Sequence, residues 1–102
     1  MKRTVVRYKV KPELVEENER LIQQVFREMR EKAPEGVRYM ALKLGDGSFV
    51  HFSMAETGDT RSPLHGLSAF QLFQSKVQER CLEVPQQSEA TIIGDYRMLS
   101  GQ

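Results

Sequence analysis

Two histidines, His51 and His65, are the side chains of this sequence best suited to acid–base chemistry, because an unperturbed imidazole titrates near neutral pH. His51 lies between Phe49 and Ser53 in an alternating stretch that predicts a β-strand, so we expect its ring to be buried. A buried polar ring needs a hydrogen-bond partner whatever its role. Two interpretations follow: a core or interface histidine satisfied by a backbone carbonyl or a tyrosine hydroxyl, or a pocket residue that serves as a base or as a hydrogen-bonding group for a substrate.

His65 lies in the sequence SPLHGL, at the predicted start of a helix and after a polar loop that is a candidate lid. The alternative interpretation is an exposed residue at the beginning of that helix. Neither histidine has Asp, Glu or Cys at metal-ligand spacing, so the sequence predicts no metal site.

Tyrosines and arginines supply the other candidate groups. These are Tyr8, Tyr39, Tyr96, Arg7 and Arg97. The alternation of the first strand places Tyr8 on an apolar face with Val6, which predicts that it points toward the helices and a cavity. Tyr39 and Tyr96 are interpreted as half-buried structural residues. The two arginines are interpreted as partners of Asp95 or Glu89 in salt bridges at an interface.

A helical stripe of Phe70, Phe73 and Val77 is typical of a core face rather than of a cofactor site. Cys81 follows near the end of the same predicted helix. Helix C-termini do not lower the pKa of a thiol, so Cys81 is interpreted as structural.

Alternation and helical spacing predict the elements that hold these residues. A two-residue alternation predicts the first strand, and Pro12 followed by acidic residues predicts the start of a long helix. The predicted elements are a strand over residues 4–10, a helix ending before Pro34-Glu35-Gly36, a hairpin over about 37–55, a helix from about 64 or 67 to 81, and a strand over 90–99 with a bulge or close backbone approach at Gly94.

The hairpin contains Asp46-Gly47, which favours a two-residue turn. Such a turn pairs Leu44 with Phe49, Leu42 with His51, and Ala41 with Phe52. It predicts that Met40 and Leu42 share a face with His51, while Tyr39 lies on the other face. Neither face is polar enough to be left in water, so both are expected to be covered.

The element order β-α-β-β-α-β predicts an α+β fold of ferredoxin-like type, with two helices on one face of a four-stranded antiparallel sheet. A single domain over residues 1–102 accommodates it. The other face would leave about 400 Å² uncovered, which is the size of patch that marks an interface. We therefore predict a homodimer.

The formal net charge of +1 gives no electrostatic reason to expect nucleic acid or an anionic membrane as a partner. No apolar run approaches the roughly 18 residues that span a bilayer. The sequence has one cysteine, Cys81, so an intramolecular disulfide is excluded. A cytoplasmic protein is predicted.

The runs VVRYKVKPE and PEGVRYM, together with the order of the elements, resemble the antibiotic biosynthesis monooxygenase (ABM) family of dimeric α+β barrels. The resemblance spans residues 4–99. It implies a cavity between the helices and the sheet, a dimer through the opposite sheet face, and strand exchange after Gly94. It also implies oxygenation of a phenolic, quinol or anthrone-type substrate without a cofactor.

The haem-degrading branch of that family depends on an Asn, a Trp and a ligand His, which fall here at Val6, Leu64 and Gln74. The sequence has no Trp at all. The resemblance therefore predicts no haem and no other cofactor. The candidate substrate-binding residues are Val6, Tyr8, Leu64, Phe70 and Phe73.

The leading hypothesis is an ABM-like protein that binds a small hydrophobic or aromatic molecule, with oxygenation of that molecule as the candidate reaction and His51 and His65 as candidate catalytic residues. The alternative is a non-catalytic dimer that serves binding, sensing or a scaffold role. A third option is an isomerase or decarboxylase of the same superfamily. A slot of roughly 300 Å³ or more that reaches a histidine would favour small-molecule chemistry. An interface filled by Phe70, Phe73, Met40 and Leu42 would favour the alternative.

Overall fold

The computed structural model describes residues 1–56 and 63–98, and its elements follow the predicted β-α-β-β-α-β order. Two short 3₁₀ turns, Pro12–Leu14 and Pro63–Gly66, precede the two helical regions. The elements are β1 (Lys2–Val10), α1 (Val15–Lys32), β2 (Val37–Lys43), β3 (Ser48–Ala55), α2 (Ser68–Ser75), α3 (Val77–Arg80) and β4 (Cys81–Glu89).

The four strands form one antiparallel sheet in the order β2-β3-β1-β4. This order places the two strands of the hairpin at one side and β4 at the other edge. The α+β, ferredoxin-like fold predicted from the sequence is confirmed.

Helix α1 ends before Pro34 as its sequence predicts, but it begins at Val15, because Pro12–Leu14 form a separate 3₁₀ turn instead of the predicted first helical turn. Its first turn carries Glu16 and Glu17, and its last turn carries Arg30 and Lys32, which suits the helix dipole at both ends. The residue after the helix, Ala33, has a left-handed φ of 44° that stops the helix, and its N–H donates to the carbonyl of Met29 at 2.7 Å. The buried face of α1 covers the sheet.

The hairpin turn has three residues instead of the predicted two. Leu44 N–H donates to the carbonyl of Ser48 at 2.8 Å, and Gly47 N–H donates to the carbonyl of Leu44 at 3.2 Å. Gly47 has a φ of 87°, whereas Asp46 is not among the residues with positive φ. A two-residue type I′ turn needs positive φ at both positions, so the chain instead forms a three-residue loop that closes at a left-handed glycine.

The longer loop shifts the hairpin register by one residue. Ala41 pairs with His51, and Leu42 pairs with Val50. The predicted pairing of Leu42 with His51 is therefore wrong. Because side chains alternate between the two faces of a strand, the shift moves Tyr39 onto the same face as His51 and moves Leu42 to the opposite face.

The last strand also differs from its prediction. Strand β4 occupies Cys81–Glu89, and residues 90–98 form no strand; the predicted end at Leu99 lies outside the described residues. Pro85 is tolerated within β4 because this strand lies at the sheet edge, where a proline without an N–H need not break a ladder hydrogen bond. The predicted bulge at Gly94 therefore falls in an irregular segment.

The second helical region is divided. Helix α2 ends at Ser75, and Lys76 (φ −133°, ψ 22°) separates it from the single turn of α3. Cys81 is the first residue of β4, not the last residue of the helix as predicted. The predicted apolar stripe nonetheless reaches the core, because Phe70 and Phe73 are buried and Val77 packs against them.

The two faces of the sheet differ in what covers them. The face with Tyr8, Val10 and Phe49 packs against α1 and α2 in the core. On the opposite face, Val50 and Phe52 are half-buried. Met40 and Leu42 are also on that face and are 39% and 48% exposed. Within one chain, these four side chains remain partly exposed on the second face.

None of the helices in the described ranges is both long and apolar enough to cross a membrane.

Candidate functional site

A cavity of about 350 Å³ lies between the helices and the covered face of the sheet. Residues from four strands and from the second helical region line it. They are Val6, Tyr8, Tyr39, His51, Ser53, Leu64, Phe70, Phe73, Gln74, Val77, Gln78, Pro85 and Gln87. All five predicted substrate-binding residues and His51 are on this wall.

Aromatic rings form much of the cavity wall. The His51 ring lies 5.3 Å from Tyr8, 5.6 Å from Tyr39 and 5.5 Å from Phe73, measured between ring centroids. Phe70 meets Tyr39 edge-on at 6.4 Å. These distances are within the range of favourable aromatic contacts, so the wall is a connected set of rings suited to a flat apolar ligand.

Five side chains form a continuous series of hydrogen bonds behind and along this wall, here called the polar chain: Tyr39, His51, Tyr8, Asn18 and Arg80. Tyr8 Oη lies 2.7 Å from His51 Nε2, and the Tyr39 hydroxyl contacts His51 Nδ1. Asn18 Nδ2 donates to Tyr8 Oη at 3.0 Å. Arg80 Nε donates to Asn18 Oδ1 at 2.9 Å. The polar chain thus connects β2, β3, β1, α1 and α3.

Arg80 is the buried charged end of the polar chain. Its Nη2 donates to the carbonyl of Phe73 at 2.8 Å, and its guanidinium lies 5.1 Å from the centroid of the Phe73 ring. Burial lowers the pKa of Arg80, but a guanidinium remains protonated in proteins. These contacts explain how the side chain is accommodated with only 6% of its surface exposed.

Burial sets the protonation states along the cavity wall. It lowers the pKa of His51 to about 4, because the charged imidazolium loses its hydration. Burial raises the pKa of Tyr8 and of Tyr39 well above the ordinary value for a phenol. At pH 7 the histidine is therefore neutral and both tyrosines keep their protons.

The rim of the cavity is polar and uncharged. Ser53, Gln74, Gln78 and Gln87 complete the lining without adding a formal charge. A neutral wall with a few hydrogen-bonding groups suits a small ligand that is largely apolar.

The structure places His51 and His65 differently. The covered face of β3 carries His51 to the cavity, and its ring nitrogens contact two tyrosine hydroxyls, so the residue has features of both predicted interpretations. His65 is half-buried, does not line the cavity, and packs edge-on against Phe70 at 5.5 Å. A catalytic role for His65 stays a prediction that this placement does not favour.

The remaining predicted groups lie away from the cavity. Arg7 is exposed, and Arg97 stacks over Tyr96 at 5.0 Å. Tyr96 is 77% exposed, so the interpretation of this residue as half-buried is wrong for the single chain. Cys81 is buried in the core, and burial raises the pKa of its thiol.

The sequence indicated Tyr39 as a candidate group but favoured a structural role for it, and it did not identify Asn18 or Arg80. Arg80 follows Phe73 and Val77 at helical spacing, so a charged residue on a buried stripe was a usable signal. Asn18 likewise occurs among the apolar positions of α1. A polar residue at a buried position predicts a partner inside the protein.

The sequence matches no protein-family model and no curated protein, but solved structures share its fold. A protein named "Putative antibiotic biosynthesis monooxygenase" from Nitrosomonas europaea is 17% identical at a TM-score of 0.73, over 92% of this chain and 100% of the other. The protein Rv0793 from Mycobacterium tuberculosis is 15% identical at a TM-score of 0.72, over 92% and 96% of the two chains. A further structure, named antibiotic biosynthesis monooxygenase, is 12% identical at a TM-score of 0.73, over 92% and 100%.

These similarities confirm that the chain has the fold of the ABM structures, as its sequence resemblance implied. Val6, Leu64 and Gln74, where the haem-degrading branch would need its Asn, Trp and His, all line the cavity. None of the three can serve as a haem-ligating imidazole, so the cavity wall does not fit that cofactor at these positions.

Proposed function

We propose that the helix–sheet cavity binds a small hydrophobic or aromatic molecule and that the protein oxygenates it without a cofactor. The substrate class is a phenol, quinol or anthrone. The observation that supports this most is the cavity itself, whose volume of about 350 Å³ and wall of aromatic rings suit a flat ligand of that kind. The proteins of the same fold that are named as monooxygenases support the reaction class by analogy.

The proposed reaction on an anthrone converts a ring methylene into a carbonyl. One atom of O₂ becomes the carbonyl oxygen, and the other leaves as water with the two methylene hydrogens. The carbon loses four electrons and O₂ gains them, so no further reductant is required. Loss of the first proton to solvent water creates an aromatic anion, which hydrogen-bond donors on the wall would stabilise.

Within this proposal His51 serves as a hydrogen-bonding residue rather than as the base. Both ring nitrogens are occupied by tyrosine hydroxyls, and burial lowers the pKa of His51 to about 4. Such a weak base is poorly matched to a phenolic proton whose ordinary pKa is near 10. His51 instead holds the hydroxyls of Tyr8 and Tyr39 in place at the wall.

The alternative function is binding without catalysis. One feature favours it: among the cavity-lining residues that the structure describes, burial lowers the pKa of His51 and raises the pKa of Tyr8 and Tyr39, so the wall offers no strong base at pH 7. A sensor or carrier of an aromatic molecule would need the same cavity and no base.

We further propose that the protein forms a homodimer through the half-exposed face of the sheet. Met40 and Leu42 are exposed there beside the half-buried Val50 and Phe52. A two-fold axis would bring this apolar patch onto its own copy. The segment 90–98 would add to the interface, since its Ile93 is fully exposed in one chain and strand exchange is implied for this segment by the family resemblance.

Oxygen uptake with a panel of quinols and anthrones tests the enzyme function. Wild-type protein is expected to consume O₂ with at least one member and to show a thermal shift with it. Val77→Phe, which places a larger side chain on the cavity wall, is expected to abolish both effects. Leu72→Phe is the matched control, because Leu72 is exposed on α2 and outside the cavity. A thermal shift without uptake would support the binding function alone, and neither effect with any member would contradict both.

A further inference from the structure

We propose that Arg80 fixes the direction of every hydrogen bond in the polar chain, so that Tyr39 presents a donor to the cavity and selects ligands with an acceptor oxygen. This selectivity rests on the binding function proposed above. It assigns a specificity-determining role to Tyr39 and positioning roles to Arg80 and Asn18.

The contact between Arg80 and Asn18 determines which atom donates in the hydrogen bonds of the polar chain. A guanidinium has only donors, so the atom of Asn18 that lies 2.9 Å from Arg80 Nε must be the amide oxygen. This contact fixes the orientation of the Asn18 amide. Its NH₂ group therefore points toward Tyr8 and donates to Tyr8 Oη at 3.0 Å.

The second step determines which atom donates in the hydrogen bond between Tyr8 and His51. Tyr8 Oη accepts from Asn18, which leaves the hydroxyl hydrogen of Tyr8 free to donate. The described acceptor within reach is His51 Nε2 at 2.7 Å. Tyr8 is nearly fully buried, with 2% of its surface exposed, so its hydrogen cannot turn to bulk water instead. His51 Nε2 is therefore an acceptor without a hydrogen.

The third step concerns the hydrogen bond between His51 and Tyr39 at the cavity wall. A neutral imidazole with an unprotonated Nε2 carries its hydrogen on Nδ1. Nδ1–H then donates to the hydroxyl oxygen of Tyr39. The hydroxyl hydrogen of Tyr39 has no second partner among the described residues, and Tyr39 lines the cavity. The polar chain thus ends in a donor at the ligand site.

The opposite direction would leave a buried group unsatisfied. If His51 carried its hydrogen on Nε2, Tyr8 Oη would accept from both His51 and Asn18. The Tyr8 hydrogen would then have no acceptor among the described contacts of this side chain. An unsatisfied buried donor is strongly disfavoured, so the arrangement starting at Arg80 is the one populated.

The ligand class follows from the donor at the end of the polar chain. A ketone, a quinone or a phenolate can accept from Tyr39, whereas a ligand that has only an N–H would face another donor. For a substrate that is oxygenated through its anion, the donor would lie where negative charge develops on the oxygen.

The tautomer of His51 gives a test that needs no ligand. Two-dimensional ¹⁵N–¹H NMR of the side chain distinguishes the protonated nitrogen from the unprotonated one. His65→Gln removes the other histidine, so the remaining signal belongs to His51. We expect Nδ1 to carry the hydrogen at pH 7. A hydrogen on Nε2 would overturn the proposal, whatever the protein binds.

Asn18→Asp tests whether Arg80, through residue 18, determines the hydrogen-bond directions in the polar chain. The aspartate has nearly the same shape and still accepts from Arg80, but its second oxygen also accepts, so Tyr8 must now donate to residue 18. His51 Nε2–H then donates to Tyr8, and the hydrogen of His51 moves from Nδ1 to Nε2. An unchanged tautomer in a folded Asn18→Asp variant would contradict the proposed control. The wild-type tautomer decides the matter if this variant does not fold.

Three bicyclic probes of similar size test the selectivity: 1-indanone accepts only, indole donates only, and indane does neither. Calorimetry on wild-type protein is expected to give about tenfold tighter binding of 1-indanone than of indole, the equivalent of one hydrogen bond. Tyr39→Phe is expected to remove the preference, so that 1-indanone no longer binds more tightly than indole. Equal affinities for 1-indanone and indole would overturn the selectivity alone, whereas no binding of any probe would also overturn the proposed binding function.

Discussion

Each ring nitrogen of His51 has a tyrosine hydroxyl as partner, and this explains how a titratable residue is accommodated with 5% of its surface exposed. The two tyrosines have different surroundings. Tyr8 is buried and also bonds Asn18, while Tyr39 is half-buried and has His51 as its described partner. Their hydroxyls should therefore contribute differently to stability.

Tyr8→Phe is expected to destabilise the protein by about 3 kcal/mol, because it leaves both Asn18 Nδ2 and His51 Nε2 buried without a partner. Tyr39→Phe is expected to cost about 1 kcal/mol, since only one group loses its partner and that group is beside the cavity. Urea unfolding at pH 7 and a fixed protein concentration measures both values. A larger loss for Tyr39→Phe than for Tyr8→Phe would contradict the assigned contacts.

The pKa of His51 makes stability depend on pH. Its folded pKa of about 4 is below the ordinary value of 6.5, so the unfolded chain binds the proton more tightly. The contribution of this pKa difference to the free energy of unfolding is complete above pH 6.5 and is lost as the pH falls toward 4. We expect a loss of about 2 kcal/mol between pH 7 and pH 5, from roughly 1.4 kcal/mol for each unit of pKa difference.

The control for this prediction is the pair of histidine variants. His65→Gln is expected to retain the pH dependence of unfolding free energy between pH 5 and 7, and His51→Gln is expected to lose it. Urea unfolding at several pH values in this range measures the slopes. A wild-type slope near zero would show that the His51 ring is more hydrated than its contacts indicate.

At the residue scale, sequence patterns predicted that Tyr8 points toward the helices and that His51 is buried, but they could not predict which face of the sheet His51 occupies or the hydrogen-bond partners of either residue. The position of Tyr39 depends on the hairpin register. The turn residues are compatible with both a two-residue and a three-residue loop, and these two loops give different registers. Arg80 and Asn18 needed three-dimensional proximity across 62 residues of sequence to be recognised as partners. Periodicity reports which face a residue occupies, and carries no information on its partner.

At the scale of elements, local sequence chemistry predicted most of the fold, and one turn caused the error in the hairpin register. The residue alternation of β1 and the helical spacing of α1 are strong sequence signals. The first is sustained over several residue pairs and the second over several helical turns. The register of the hairpin depends on one residue, Gly47, and a shift of one position exchanges the two faces of β2. Strand β4 was misplaced because its edge position allows polar residues and Pro85.

Glu28 of α1 connects the two helices. Its carboxylate accepts from Lys32 Nζ at 2.8 Å, from the backbone N–H of Ala69 at 2.7 Å and from Ser68 Oγ at 3.0 Å. The hydrogen bonds from Lys32 and then from Ala69 lower the pKa of Glu28 to about 2. Glu28 thus caps the first turn of α2, which has no side-chain cap of its own.

This contact predicts a stability contribution that acid removes. Because the folded pKa of Glu28 is below the ordinary value of 4.5, the contribution is present above pH 4.5 and is lost as the pH falls toward 2. Thermal unfolding of Glu28→Gln is expected to show a lower Tm than wild type at pH 6 and a smaller difference at pH 2.5. Glu31→Gln on the same helix is the control and is expected to behave as wild type. A difference that grows as the pH falls would contradict the assigned role.

At the scale of the whole molecule, the sheet separates two environments. One face closes the cavity against the helices, and the other carries a partly exposed apolar patch that the composition of β2 and β3 predicts. The sequence indicated both environments because the hairpin is apolar on both faces. Whether the cavity was open or filled could not be predicted, since the volume depends on how the side chains of several elements pack together.

The proposed dimer can be tested at the centre of the patch. Phe52 lies between Val5 of β1 and Met40 of β2 in the strand register. Phe52→Lys is expected to convert a dimer into a monomer at micromolar concentration, because a sheet-on-sheet interface would bury the charge without a partner. Leu72→Lys, at an exposed position of α2, is expected to leave the dimer intact. Sedimentation equilibrium measures both, and a monomeric wild type would contradict the proposal.

Intermolecular NOEs from a bound aromatic ligand show whether the helix–sheet cavity is the ligand site. With 1-naphthol as the ligand and methyl-labelled protein, we expect NOEs from the naphthol ring to the methyl groups of Val6, Leu64 and Val77, which line the cavity. NOEs to the methyl groups of Val50 and Leu42 instead would place the ligand on the opposite face of the sheet and contradict the account.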